Sequence, residues 1–316
     1  MLMELPDQIG VDAAVVVPVL LRNPVTDGSP AVRLWSVVWI VEPQRASLLS
    51  AEGLPKSSVL ALLSDYGEGP PIAVPRRTVC EGLPMELIFV HGALVRDGEW
   101  WWKPTADLLL ERTGIRSRAL ALPSCGETEL DRSATGLVDD AGALRRELDT
   151  IDSAIVVGHS YGGTVIAEAG QHPAIAHLLY ISSYLPDIGQ AQGMVMSGES
   201  NPVSIGDNGD GTLSLAGYDA ASLGARFLQD ADDEIQRQAW ERVTPQAAAA
   251  FMTPTTAAGW EGVDSTYIVC AKDQGTSVEL QRFHAARATR SVEVPTGHHP
   301  FITRPDLVVE QVQELL

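Results

Sequence analysis

Near the middle of the chain, Gly158-His159-Ser160-Tyr161-Gly162 sets one hydroxyl among small neighbours in the pattern G-x-S-x-G. Residues 155–157 before it are a β-branched run, and residues 164–167 after it suit a helix. A serine on a sharp strand-to-helix turn is held in a strained conformation, so the residues two before and two after must be small. The turn exposes its Oγ at a helix N-terminus, where free N–H groups favour developing negative charge. That arrangement suits nucleophilic attack on a carbonyl carbon.

A nucleophilic serine needs a base, and the base needs an orienting group. Gly297-His298-His299-Pro300-Phe301 follows the strand-like residues 292–294 and offers two histidines. His298, directly after the glycine and two residues before the proline, is preferred to His299 as the base. Ala271-Lys272-Asp273-Gln274 follows the apolar run 266–270, and a carboxylate there would fix the imidazole tautomer. Asp187, after the strand-like 178–181, is the competing carboxylate; Asp273 is favoured. The chain order Ser160, Asp273, His298 is the one expected when the serine sits on such an elbow.

Residues 87–90 end in His91-Gly92-Ala93. With this order the oxyanion is held by the N–H after the nucleophile and one from an earlier strand-end loop, here Tyr161 and Ala93. His91 precedes the serine, out of order for a base, and is given a structural place. His91, Leu94, Trp101, His159, Met194 and Trp240 are the candidate substrate contacts. Trp100, Trp101 and Trp102 cannot all face one way, so at least one is expected in the core.

The elements that must position these groups alternate. Strand-like runs at 87–90, 117–122, 155–157, 178–181, 266–270 and 291–294 are separated by helical patterns. These lie near 104–112 and 137–148, from 161, near 278–288 and from 305. That βαβα rhythm argues a parallel sheet covered on both faces. Residues 187–260 break the rhythm and read as a lid over the carboxyl ends of the strands, with helices near 220–227 and 234–242. Within it, 206–211 is Asp, Asn and Gly rich; the spacing of an EF-hand is missing, so a hairpin turn is expected.

Residues 1–83 form a separate β-rich extension, with runs at 13–22 and 32–41, a possible helix at 56–65 and Pro70, Pro71 and Pro75 as a linker. It is a possible homodimer arm or added sheet. The domain proper is 84–316.

Composition narrows the function. The 316 residues carry 22 Lys and Arg against 41 Asp and Glu, a net charge of -19, which argues against nucleic acid or an anionic membrane as partner. The apolar run 13–21 is about half a membrane span, and no basic secretory leader is evident. Three widely spaced cysteines, Cys80, Cys125 and Cys270, support neither zinc nor dithiol sites; a reducing cytoplasm is the expected setting.

Taken together, 89–101 (FVHGALVRDGEWW), 156–163 (VVGHSYGG), 180–187 (YISSYLPD), 266–283 and 296–306 (TGHHPFITRPD) resemble an α/β-hydrolase. The likeness is narrower still to the esterase group of plant methyl esterases, hydroxynitrile lyases and their bacterial relatives. It covers about 85–316. The resemblance implies an α/β-hydrolase fold, with a mostly parallel sheet flanked by helices. It also implies His298 as base and Asp273 as acid. The leading expectation is a serine hydrolase of a small neutral or apolar carboxylic ester or lactone, which requires no metal or organic cofactor. Two alternatives stand beside ester hydrolysis: a hydroxynitrile lyase-type reaction on the same three residues, and a non-catalytic ligand receptor with a hydrolase fold. The family's lyases resemble one another in a lysine beside the histidine; here that neighbour is His299.

Overall fold

The structure is a computed structural model, and its described residues are 85–199 and 201–316, together with the backbone of two short strands near the start. The chain divides into two units, Met1–Thr78 and Val79–Leu316. In the first, β1 (Val15–Pro18) and β2 (Trp35–Val38) pair antiparallel, Val15 opposite Val38. They fall inside the two β-rich runs read from the sequence. The expected helix at 56–65, the linker prolines and the proposed dimer arm lie outside the described residues.

The second unit runs β3 (Met85–Val90), α1 (Gly98–Thr113), β4 (Ser117–Ala119), α2 (Leu137–Leu148), β5 (Ser153–His159), α3 (Tyr161–Ala169) and β6 (Ile175–Ile181). A cap follows: α4 (Gln192–Met196), β7 (Ile205–Asp207), β8 (Thr212–Leu215), α5 (Ala220–Phe227), α6 (Asp233–Trp240), β9 (Gln246–Ala247) and α7 (Ala249–Met252). The sheet then resumes with β10 (Ser265–Cys270), α8 (Val278–Ala285), β11 (Arg290–Val294), α9 (Pro300–Thr303) and α10 (Pro305–Gln313).

Six strands form one parallel sheet in the order β11-β10-β6-β5-β3-β4. Successive side chains of a strand point to opposite faces, so β-branched and aliphatic runs can feed two cores at once. Ile88, Val90, Val156 and Leu178 pack with Leu144 and Leu148 of α2 and Val165 of α3. Leu87, Phe89, Val157 and Leu179 pack on the other face with Trp102 and Leu109 of α1 and Val308 and Val312 of α10. Ile155, Val156 and Val157 are fully buried, and burying such a side chain is worth about 1.5–3 kcal/mol. This is the α/β-hydrolase architecture expected from the motifs. Among the described residues, no helix is long and apolar enough to cross a membrane.

One expectation shifts. The first helix begins at Gly98, not near Pro104, because Asp97 in the left-handed region (φ 66°) caps it and accepts from Trp100 N. Pro104 therefore lies inside the helix. The 206–211 turn does join an antiparallel hairpin, β7 to β8. Cys125 and Cys270 are buried, and burial pushes both thiols well up.

Candidate active site

Ser160, Asp273 and His298 each follow the carboxyl end of a strand, β5, β10 and β11. Ser160 stands between β5 and α3 at φ 49°, ψ −120°, a left-handed value that a serine adopts only under constraint. Its N–H donates to Ile181 O (3.2 Å), and its carbonyl accepts from Ser183 Oγ (2.6 Å). A methyl group at Gly162 would lie 2.3 Å from Val90 O, and one at Gly158 2.8 Å from Gly162 O. The flanking glycines are thus demanded by backbone approach. The Tyr161 N–H opens α3, where first-turn donors have no partner within the helix. The Tyr161 side chain turns into the core and donates to Asp140 Oδ2 (2.6 Å).

His298 Nδ1–H donates to Asp273 Oδ2 at 2.7 Å, with Ser182 Oγ 3.1 Å from the same nitrogen. This leaves Nε2 as the nitrogen available for chemistry. Asp273 also accepts from the Ser182 hydroxyl, Gln281 Nε2 (3.0 Å), Gly275 N (2.7 Å) and Thr276 N (3.1 Å). Burial works to raise the Asp273 carboxyl, but the His298 ring and these donors outweigh it and hold the pKa below the usual range. Asp187, the competing carboxylate, faces outward in an ion pair with Arg287. His299 donates from Nδ1 to Phe227 O (2.9 Å) and stacks on Trp101. Burial, then the neighbouring His298, pushes its pKa down to about 3.

The loop after β3 is held from two sides. His91 Nδ1 lies 2.8 Å from Gly92 O and its Nε2 lies 2.7 Å from Glu127 Oε2. Both partners are acceptors, so both nitrogens donate and the ring is an imidazolium. Burial alone would discharge it; the Glu127 bond and charge and the Gly92 carbonyl reverse that and raise its pKa. A peptide's C=O and N–H point opposite ways. Fixing Gly92 O on the His91 side therefore turns the Ala93 N–H the other way. From the cap, Gln246 Oε1 accepts from Leu94 N (2.9 Å) and Thr244 N donates to Leu94 O (2.9 Å). Gln246 Nε2 reaches Ser124 Oγ (2.9 Å), and Ser124 Oγ donates to Asp140 (2.6 Å). One chain of hydrogen bonds thus ties the cap, the Ala93 loop and the Tyr161 helix together.

A cavity of about 80 Å³ opens on Ser160, His298 and Ala93. Leu94, Trp101 and His159, named from the sequence, line it, with Met196, Phe227 and Phe251 from the cap. Three other candidate contacts do not. His91 points away from the cavity, to Glu127. Met194 is 63% exposed: Met196 lines the cavity, and residues two apart on a helix cannot share a face. Trp240, ending α6, is partly buried against the hydrophobic core and does not line the cavity. Sequence reasoning missed Ser182 and the His91–Glu127 pair. The only local trace of the former was a second hydroxyl in YISSYLPD.

The model of the alpha/beta hydrolase family matches residues 87–311. The chain belongs to the alpha/beta hydrolase family. It is 26% identical to Methylesterase 9 of Arabidopsis thaliana over 253 residues, 72% of this chain and 96% of that one. A carbendazim hydrolyzing esterase of Nocardioides sp. (strain SG-4G) is 25% identical over 253 residues, 72% of this chain and 98% of that one. The crystal structure of a pyrethroid hydrolase from Sphingobium faniae JZ-2 superposes with a TM-score of 0.62 at 24% identity. That match covers 73% of this chain and 96% of the other.

Proposed function

We propose that this hydrolase cleaves neutral, apolar carboxylic esters or lactones through an acyl-enzyme on Ser160. Ser160 Oγ attacks the carbonyl carbon while His298 Nε2 takes its proton. The Ala93 and Tyr161 N–H groups receive the developing oxyanion. His298 then returns the proton to the leaving alcohol, and water repeats the sequence on the acyl-enzyme. Asp273 holds the tautomer that leaves Nε2 free.

The observation that carries this reading is the 2.7 Å His298–Asp273 bond at the wall of the cavity that Ser160 opens into. The substrate class rests on the lining. Among the residues around the cavity there is no Lys, Arg, Asp or Glu, and most are aliphatic or aromatic. A charged acyl group would lose its hydration there without compensation. The names methylesterase and esterase, carried by the relatives, agree with ester cleavage. A lyase on the same residues would be expected to keep a cation beside His298, whereas His299 there is held neutral.

The test is a panel of esters and lactones, macrocyclic lactones included, run on wild type and Ser160→Ala in parallel. Loss of about 10³-fold or more in kcat, with fluorophosphonate labelling abolished, is expected. Full turnover by Ser160→Ala would remove the mechanism.

A further inference from the structure

Beyond the triad, three imidazoles crowd one wall of the cavity. The ring centroids of His159, His298 and His299 are 4.5, 4.8 and 4.9 Å apart pairwise. One ring nitrogen of each lies within 4.8 Å of the others. All three are buried, and all three line the cavity with Ser160.

The hydrogen bonds fix which nitrogen of each ring carries its proton. His159 Nε2 lies 3.0 Å from the His298 carbonyl, His299 Nδ1 is 2.9 Å from the Phe227 carbonyl, and His298 Nδ1 is 2.7 Å from the Asp273 carboxylate. Each acceptor takes the N–H and leaves the opposite nitrogen with a bare lone pair. On His159 that nitrogen, Nδ1, lies on the nucleophile's side: a methyl group on Gly92 would stand 3.1 Å from it and 3.3 Å from Ser160 Cβ.

Metal-ligating histidines have this same outer arrangement, one nitrogen anchored on a carbonyl or carboxylate and the other presented. Three imidazoles suit zinc or copper. With Zn–N bonds of about 2.0–2.1 Å in a tetrahedron, ligand nitrogens sit about 3.3 Å apart. The present separations, up to 4.8 Å, are wider, so binding requires the three rings to draw together around the ion.

We propose that His159, His298 and His299 form a three-imidazole site for a divalent transition-metal ion, Zn²⁺ above all, and that the bound ion reversibly switches off the hydrolase. The ion takes the His298 lone pair that would otherwise accept the Ser160 proton, so its occupancy and proton abstraction exclude each other. Asp273 supplies a negative charge behind the His298 ring, 2.7 Å from its Nδ1. The ion is an inhibitor that competes with the base, not a participant in turnover. The inhibitory half rests on the serine-hydrolase reading above; the binding half does not.

The experiment titrates ZnCl₂ into the full chain after chelator treatment, following heat by calorimetry and, with Co²⁺ in its place, the visible absorption of a tetrahedral nitrogen site. One equivalent is expected, with affinity falling at least tenfold in His159→Gln and again in His299→Gln. Ester turnover of wild type should fall below a tenth at saturating Zn²⁺ and return on adding EDTA. Histidine resonances of unaltered protein, followed by ¹⁵N NMR during the titration, guard against a variant that does not fold. Binding with unchanged affinity in both variants, or no shift of those resonances up to millimolar Zn²⁺, would overturn the proposal. One-to-one binding lost in the variants, in a protein with no ester turnover, would keep the metal site and sink the hydrolase reading instead.

Discussion

Two buried carboxylates lie on either side of the Ser160 turn, and they keep opposite charge habits. Asp273 faces the His298 ring and is held below the ordinary carboxyl range despite burial. Asp140, beneath the elbow, accepts from Ser124 N (2.9 Å), Ser124 Oγ (2.6 Å) and Tyr161 Oη (2.6 Å), yet burial wins and its pKa is raised. Asp273 accepts five hydrogen bonds and Asp140 three. The larger difference is the partner: Asp273 is bonded to a ring that can hold a proton, Asp140 to hydroxyls and an amide. One carboxylate is bound to an imidazole ring, the other staples a helix to a loop.

The widest separation should come from amide substitution. Asp273→Asn is expected to lower kcat about 10³–10⁴-fold by presenting the wrong tautomer, with substrate still bound. Asp140→Asn should instead cost about 1–3 kcal/mol of stability and less than tenfold in kcat, read by denaturant melts and steady-state kinetics. Equal losses of kcat in the two variants would erase the distinction.

Stability against pH tests the same contrast by sign. Asp273 has a lowered folded pKa, so its contribution is present above the unfolded value of 3.8 and is lost as pH falls. Asp140 has a raised one, so its contribution is complete below 3.8 and is lost as pH rises through the folded pKa. The destabilisation caused by Asp273→Asn should therefore grow from pH 4 to pH 7, while that of Asp140→Asn should shrink. Parallel urea midpoints across that range would contradict the assignment.

Smaller effects bracket these. Glu127→Gln removes the counter-charge of the His91 imidazolium and loosens the Gly92–Ala93 peptide; kcat should drop about tenfold with KM nearly unchanged. Asp187→Asn breaks only an exposed pair with Arg287 and should stay within about 0.5 kcal/mol of wild type, with full activity. A large kinetic loss there would reopen the choice of acid.

What the sequence made legible was local or periodic. The helices at 137–148 and 220–227 were read at their observed bounds, because amphipathic spacing and an acidic residue at or near the start are short-range signals. The pairing of Asp273 with His298, and Ser160 beside them at one cavity, was legible because each sits beside a strand end with a distinctive neighbour. What stayed hidden depends on pairs far apart in the chain. His91 meets Glu127 across 36 residues, Ser182 meets Asp273 across 91, and Leu94 meets Gln246 across 152. The direction of a cap side chain was equally closed to sequence reading: Met194 and Met196 are interchangeable on paper, and only the packing of α4 separates them.

The Gln246–Leu94 clasp has a practical meaning for anyone reshaping this molecule. Most of the cavity wall supplied by the cap lies between Met196 and Leu228, whereas the clasp belongs to residues 243–247. The cap is therefore two modules in one stretch of chain, an interchangeable awning and a bolt. Recombination that swaps residues up to 228 and leaves the bolt in place would vary substrate range on an intact catalytic frame. A crossover that carries away 243–247 would unfasten the frame itself.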